Sequence, residues 1–154
     1  MIARLYSRVM KTFTVTKPEE FNKIFPEIFD RAFVSSGAVV VTLTGDLGAG
    51  KTTFTQQLAA YLNISETVVS PTFGIMKSYE ISENEDFDQL IHIDAYRIED
   101  ISETEPLRFT ELFKQPRTLI CVEWPEQIQP ILPEEVISVS ITITENEERT
   151  VTVE

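Results

Sequence analysis

Residues Gly45-Asp46-Leu47-Gly48-Ala49-Gly50-Lys51-Thr52 match G-x-x-x-x-G-K-[ST] at every constrained position. Three of the chain's five glycines fall within six of these residues. Each residue type has a chemical use. Glycines let the backbone turn tightly and aim successive N–H groups at one anion. A helix that follows adds the positive end of its dipole. Lys51 supplies a cation for the β- and γ-phosphates, and the Thr52 hydroxyl suits one coordination position on Mg²⁺. The motif predicts a nucleotide phosphate site.

Such a site needs a carboxylate at the end of a neighbouring strand. Two acids qualify, Asp94 after LIHI and Glu123 after LICV. Each has a lesser reading as a merely solvated strand-end acid, two together at the carboxyl ends of strands favour a ligand site, and pattern alone does not rank them. His92 alternates with Ile91 and Ile93, as a packed or hydrogen-bonded strand histidine does. Trp124 suits a base stack or the core. Cys121 lies in an apolar run with no activating neighbour and is expected to be inert.

The elements that must hold these residues follow from periodicity. Ala38 to Thr44 is a β-branched run typical of a strand buried on both faces, and Lys51 to Leu62 has helical composition. The phosphate loop therefore lies between a buried strand and a helix. Phe13 to Thr16 reads as a short edge strand. A helical pattern starts at Pro18 and runs to Phe33, with Pro26 expected to kink or divide it, and Gly37 closes it. Phe73 to Tyr79, Leu90 to Asp94 and Thr118 to Glu123 read as strands. Val136 to Thr144 and Arg149 to Val153 alternate around a turn, as a hairpin does. The expected fold class is α/β, a three-layer P-loop NTPase-like domain with a mixed, mainly parallel sheet and a C-terminal antiparallel hairpin.

Composition sets the bounds. A chain of 154 residues, 42% hydrophobic and 25% charged, is one domain's worth. Thirteen basic against 25 acidic residues give a net charge of −12, which opposes direct binding to nucleic acid or anionic lipid. One cysteine excludes an internal disulfide, and one histidine leaves too few ligands for zinc. Between Glu80 and Glu105 ten acids face one base, Arg97, which is either a solvated face or a docking surface for a basic partner. Residues 1–11 lack the apolar core of a secretory signal and are expected to be a disordered extension, with 12–154 as the single domain. A cytoplasmic location follows as the expectation.

Four blocks occur in order: GDLGAGKTTF (Gly45 to Phe54), SPTF (Ser70 to Phe73), HIDAYR (His92 to Arg97) and VEWPE (Val122 to Glu126). Together they resemble the TsaE (YjeE) family, P-loop ATPases of tRNA threonylcarbamoyladenosine synthesis, from about Phe13 onward. The resemblance implies an ATP- and Mg²⁺-dependent ATPase, slow by itself, that acts with TsaB and TsaD and meets tRNA only through them. It implies that Gly45 to Thr53 hold the nucleotide, with Lys51 on the phosphates. It assigns Mg²⁺ to Thr52 and Glu123, and the activation of water to Asp94. Ser70-Pro71-Thr72 and His92-Ile93-Asp94 are implied to sense nucleotide, with Tyr96, Arg97 and Trp124 close by and Arg149 of the last hairpin as a further nucleotide contact. The family carries a glycine-containing loop where Glu103 to Arg117 has no glycine. The alternative is a small metabolite kinase, which needs an arginine-bearing lid that the acidic 80–105 stretch supplies poorly. The Asn/Thr-Lys-x-Asp guanine signature is absent.

Overall fold

The computed structural model describes residues 9–32, 36–71 and 74–154. Seven strands form one sheet in the order β1-β7-β6-β2-β5-β4-β3. They are β1 (Lys11–Val15), β2 (Val39–Thr44), β3 (Met76–Glu80), β4 (Gln89–Asp94), β5 (Thr118–Glu123), β6 (Ile137–Ile143) and β7 (Arg149–Val153). The central strands β6, β2, β5 and β4 run parallel. Antiparallel pairs flank them, β3 on β4 at one side and β7 then β1 at the other. The sheet is thus mixed, its three parallel pairs in the middle and three antiparallel pairs outside. β1 is the expected edge strand. It begins at Lys11, one residue inside the expected extension, whose first eight residues lie outside the described set.

Strand alternation explains the three layers. Val39, Val41 and Leu43 of β2 point to one face and meet Phe21, Phe25, Ile28, Phe54 and Leu58. These come from a 3₁₀ segment (Pro18–Lys23), α1 (Phe25–Ala32) and α2 (Lys51–Tyr61). Val40 points to the other face, with Ile91, Ile93, Ile120 and Val122 of neighbouring strands. That face is covered by Ile98, by Phe109 of α3 (Phe109–Leu112), by Phe113, and by Ile128 of a 3₁₀ segment (Pro125–Ile131). Strands buried on both faces must be apolar throughout, which is why β2 and β5 lack the polar alternation of β6.

Pro26 divides the first helical stretch as expected. The 3₁₀ segment ends at Lys23 and α1 starts at Phe25, so Pro26 stands in a first turn, where its missing N–H breaks no helical bond. The glycine-free stretch before β5 turns through arginines instead. Arg108 and Arg117 both adopt φ of 55°, a left-handed conformation that glycine takes without strain. Arg117 recovers side-chain bonds there, with Nε 2.9 Å and Nη2 2.8 Å from the two oxygens of Asp88. The expected strand at Phe73 starts later, at Met76. Phe73 lies outside the described residues, and Ile75 has φ of 58°, outside strand geometry. Among the described residues no helix is long and apolar enough to cross a membrane.

Candidate functional site

The phosphate motif connects the carboxyl end of β2 to the first turn of α2, at the end of the parallel strands where open α/β sheets bind ligands. Two glycines are dictated by geometry. A Cβ at Gly45 would stand 2.5 Å from the carbonyl oxygen of Ile141 on β6, so the loop passes closer to the hairpin than any side chain permits. Gly50, the N-cap of α2, has φ of 114°, strained for any other residue. Leu47 at the loop tip is 86% exposed.

Lys51 is turned back along its own loop. Its Nζ donates to the carbonyl oxygens of Gly45 at 2.5 Å and Asp46 at 3.0 Å, and it lies 4.4 Å from the centre of the Trp124 ring. Three electron-rich surfaces thereby hold a nearly buried ammonium group in the place where phosphate charge is expected. Trp124 reaches it because its backbone is left-handed, with φ of 56°, directly after β5. The ring centre of Tyr96 is 5.1 Å from that of Trp124.

The two strand-end acids come together. β4 and β5 pair in parallel with Asp94 opposite Glu123. Thr52 Oγ1 donates to Glu123 Oε1 at 2.7 Å, joining the start of α2 to the end of β5. His92 Nε2 approaches the same oxygen at 2.9 Å from within the core. A carboxylate oxygen accepts, and the tautomer that satisfies this contact carries its proton on Nε2. Burial raises the Asp94 carboxyl above its ordinary value and the charge of Glu123 raises it further, against a hydrogen bond from the Tyr96 backbone N–H.

A cleft of about 400 Å³ opens over these groups. Leu47, Gly48, Gly50, Lys51, Thr52 and Thr53 form its loop side. Ser70 and Pro71 with Asp94, Tyr96, Arg97, Glu123 and Trp124 form the rest. Gly45, Asp46 and Ala49 do not line it, nor does His92, which is bonded to Glu123 from the core. Thr72 lies outside the described residues. Arg149 comes from the hairpin side, donating from Nε to the Ala49 carbonyl at 3.2 Å and from Nη2 to the Gly48 carbonyl at 3.4 Å. It touches the loop's backbone. Cys121 is buried, its thiol pushed up to about 12 by burial. Ile75 also lines the cleft and had no sequence signal. Its left-handed turn carries one local bond, from its N–H to the Pro71 carbonyl at 3.0 Å, and one tertiary bond, its carbonyl accepting from the Asp94 N–H at 2.7 Å.

The donor set fits a hard cation held jointly with a nucleotide. Hydroxyl and carboxylate oxygens meet at Thr52 and Glu123. Among the described residues no cluster of three or more His, Cys, Asp or Glu is arranged to hold a metal alone.

A family profile described as threonylcarbamoyl adenosine biosynthesis protein TsaE matches residues 15–151. The chain belongs to the TsaE family. It is 43% identical over 121 residues to the tRNA threonylcarbamoyladenosine biosynthesis protein TsaE of Bacillus subtilis strain 168, covering 79% of this chain and 72% of that relative. It is 34% identical over 137 residues to the protein of that name from Haemophilus influenzae, covering 86% and 83%. The crystal structure of Bacillus subtilis YdiB superposes with a TM-score of 0.68 at 31% identity, over 94% of this chain and 84% of that one. The expected family and the expected α/β P-loop fold both stand.

Proposed function

We propose that this TsaE-family chain is a Mg²⁺-dependent ATPase that works with TsaB and TsaD, in the cytoplasm, to sustain threonylcarbamoylation of tRNA adenosine beside the anticodon. The observation that carries the reading is the 2.7 Å bond from Thr52 to Glu123, which ties the phosphate loop to a strand-end acid. In this reading the backbone N–H groups of the loop hold the phosphates of ATP. Lys51 exchanges its carbonyl partners for phosphate oxygens. Thr52 and Glu123 hold Mg²⁺, which when bound neutralises charge on the phosphate oxygens. Asp94 accepts a proton from the attacking water, and burial, which raises its carboxyl, makes it a stronger base than an ordinary aspartate.

The net charge of −12 supports contact with a protein rather than with RNA. The test is ATP hydrolysis with Mg²⁺, with and without purified TsaB and TsaD, using Lys51→Ala as control. Slow turnover that the partners raise and the variant abolishes is expected. Turnover indifferent to both partners would remove them from the reading and leave the phosphate site.

A further inference from the structure

His92 is the only histidine in the chain and is fully buried in β4. Its neighbours along the strand, Ile91 and Ile93, belong to the apolar core. Nδ1 of its ring is buried with no hydrogen-bond partner among the described residues. An unpartnered ring nitrogen in a core is a cost that an aliphatic side chain would not carry. Packing alone therefore gives no reason for an imidazole here. The one return is Nε2, 2.9 Å from Glu123 Oε1, a bond strengthened by the charge of the acceptor.

That oxygen is held twice. Thr52 Oγ1 donates to Oε1 as well, and Oε2 takes neither bond. The two donors have different foundations. Thr52 rides on the first turn of α2, directly behind the phosphate loop. His92 is fixed in the sheet, with Cys121 on β5 and Lys77 on β3 as register partners. The sheet-borne donor and its acceptor lie on adjacent paired strands, β4 and β5, independent of the loop.

We propose that His92 is a positioning residue for Glu123, its Nε2–H anchoring Oε1 so that the carboxylate keeps its other oxygen uncommitted for the cation. This rests on the reading of Glu123 as the metal-side acid. Partners that orient a metal ligand typically govern affinity by about 10- to 100-fold. The role predicts a defect confined to Mg²⁺.

The test is calorimetric binding of a non-hydrolysable ATP analogue, titrated with and without Mg²⁺, alongside thermal melts. His92→Leu should bind the analogue normally without Mg²⁺ and need roughly tenfold more Mg²⁺ for the same gain in affinity. His92→Gln, whose amide N–H can take the place of Nε2–H, should restore most of that gain. His92→Asn, one methylene shorter, should not. If His92→Leu does not fold, the Gln and Asn pair decides, and equal Mg²⁺ responses in those two would overturn the proposal. A His92→Leu response equal to native overturns the role of His92 alone. A native chain whose affinity ignores Mg²⁺, while Lys51→Ala still abolishes binding, overturns the reading of Glu123 and this inference with it.

Discussion

Asp94 and Glu123 are register partners at the carboxyl ends of β4 and β5, one acid from each of two adjacent parallel strands. Their surroundings differ. Glu123 is 4% exposed and receives hydrogen bonds from Thr52 and His92, whereas Asp94 is partly open and bonded to the Tyr96 backbone. One acid is pinned by two donors and the other is raised in pKa by burial, a difference that suits the separate roles proposed for them.

Substitution separates the two roles. Asp94→Asn is expected to leave binding of the Mg²⁺-nucleotide near native and to lower hydrolysis by about 10²- to 10⁴-fold. Glu123→Ala is expected to weaken binding only when Mg²⁺ is present. Calorimetry paired with a phosphate-release assay checks both, and the opposite pattern would exchange the assignments.

Arg149 holds the carbonyls of Gly48 and Ala49 from the hairpin. Arg149→Ala should lower nucleotide affinity equally with and without Mg²⁺, because the change loosens the loop rather than a metal ligand. A loss that appears for ATP but not ADP would point to a direct γ-phosphate contact instead.

Arg108 carries a left-handed backbone at an exposed position, with φ of 55° and ψ of 39°. Arg108→Gly should raise stability by about 1 kcal/mol, the left-handed penalty less the added freedom of the unfolded chain. Its ion pair with Glu111 is exposed and offsets little of this. Chemical denaturation measures the difference, and a lower midpoint would show that the arginine's contacts outweigh its strain.

Glu27 predicts an acid limb of the stability curve. Burial pulls its carboxyl up, but hydrogen bonds from Lys11 and Arg31 outweigh this and hold it below the ordinary 4.5. A lowered folded value means the stabilisation is complete above pH 4.5 and is lost as pH falls through that lower value. Melts of Glu27→Gln should therefore lie below native at pH 7 and converge on it towards pH 3. A gap that persists at acid pH would assign the effect to packing.

Local pattern made much of this legible. β2 and β5 are readable as continuous apolar runs, α2 as helical composition after Gly50, and the hairpin as alternation around a turn. Pro26 announced the break before α1. What pattern does not carry is which strand lies beside which. Pattern alone leaves Asp94 and Glu123 as two equal candidates, the family resemblance divides their roles, and only the register of β4 on β5 brings them opposite each other. The bond from His92 to Glu123 spans 31 residues of sequence and leaves no local trace. The left-handed turns at Ile75 and Trp124 fall on residue types that disfavour them, so propensity points away from the backbone that tertiary contacts impose.

The strand that feeds the phosphate loop is the second to leave the ribosome, yet its neighbours in the sheet are the fifth and the sixth. Until residue 143 has been synthesised, β2 lacks one flank, and Gly45 lacks the Ile141 carbonyl it packs against. A nascent chain that already displays the complete motif therefore lacks the hairpin against which the loop is packed. Closing the sheet requires pairing across about a hundred residues, a slow kind of step because the loop-closure entropy is lost before the contacts form. On the proposed function, nucleotide capture is then expected late in folding, once β6 and β7 have joined the sheet.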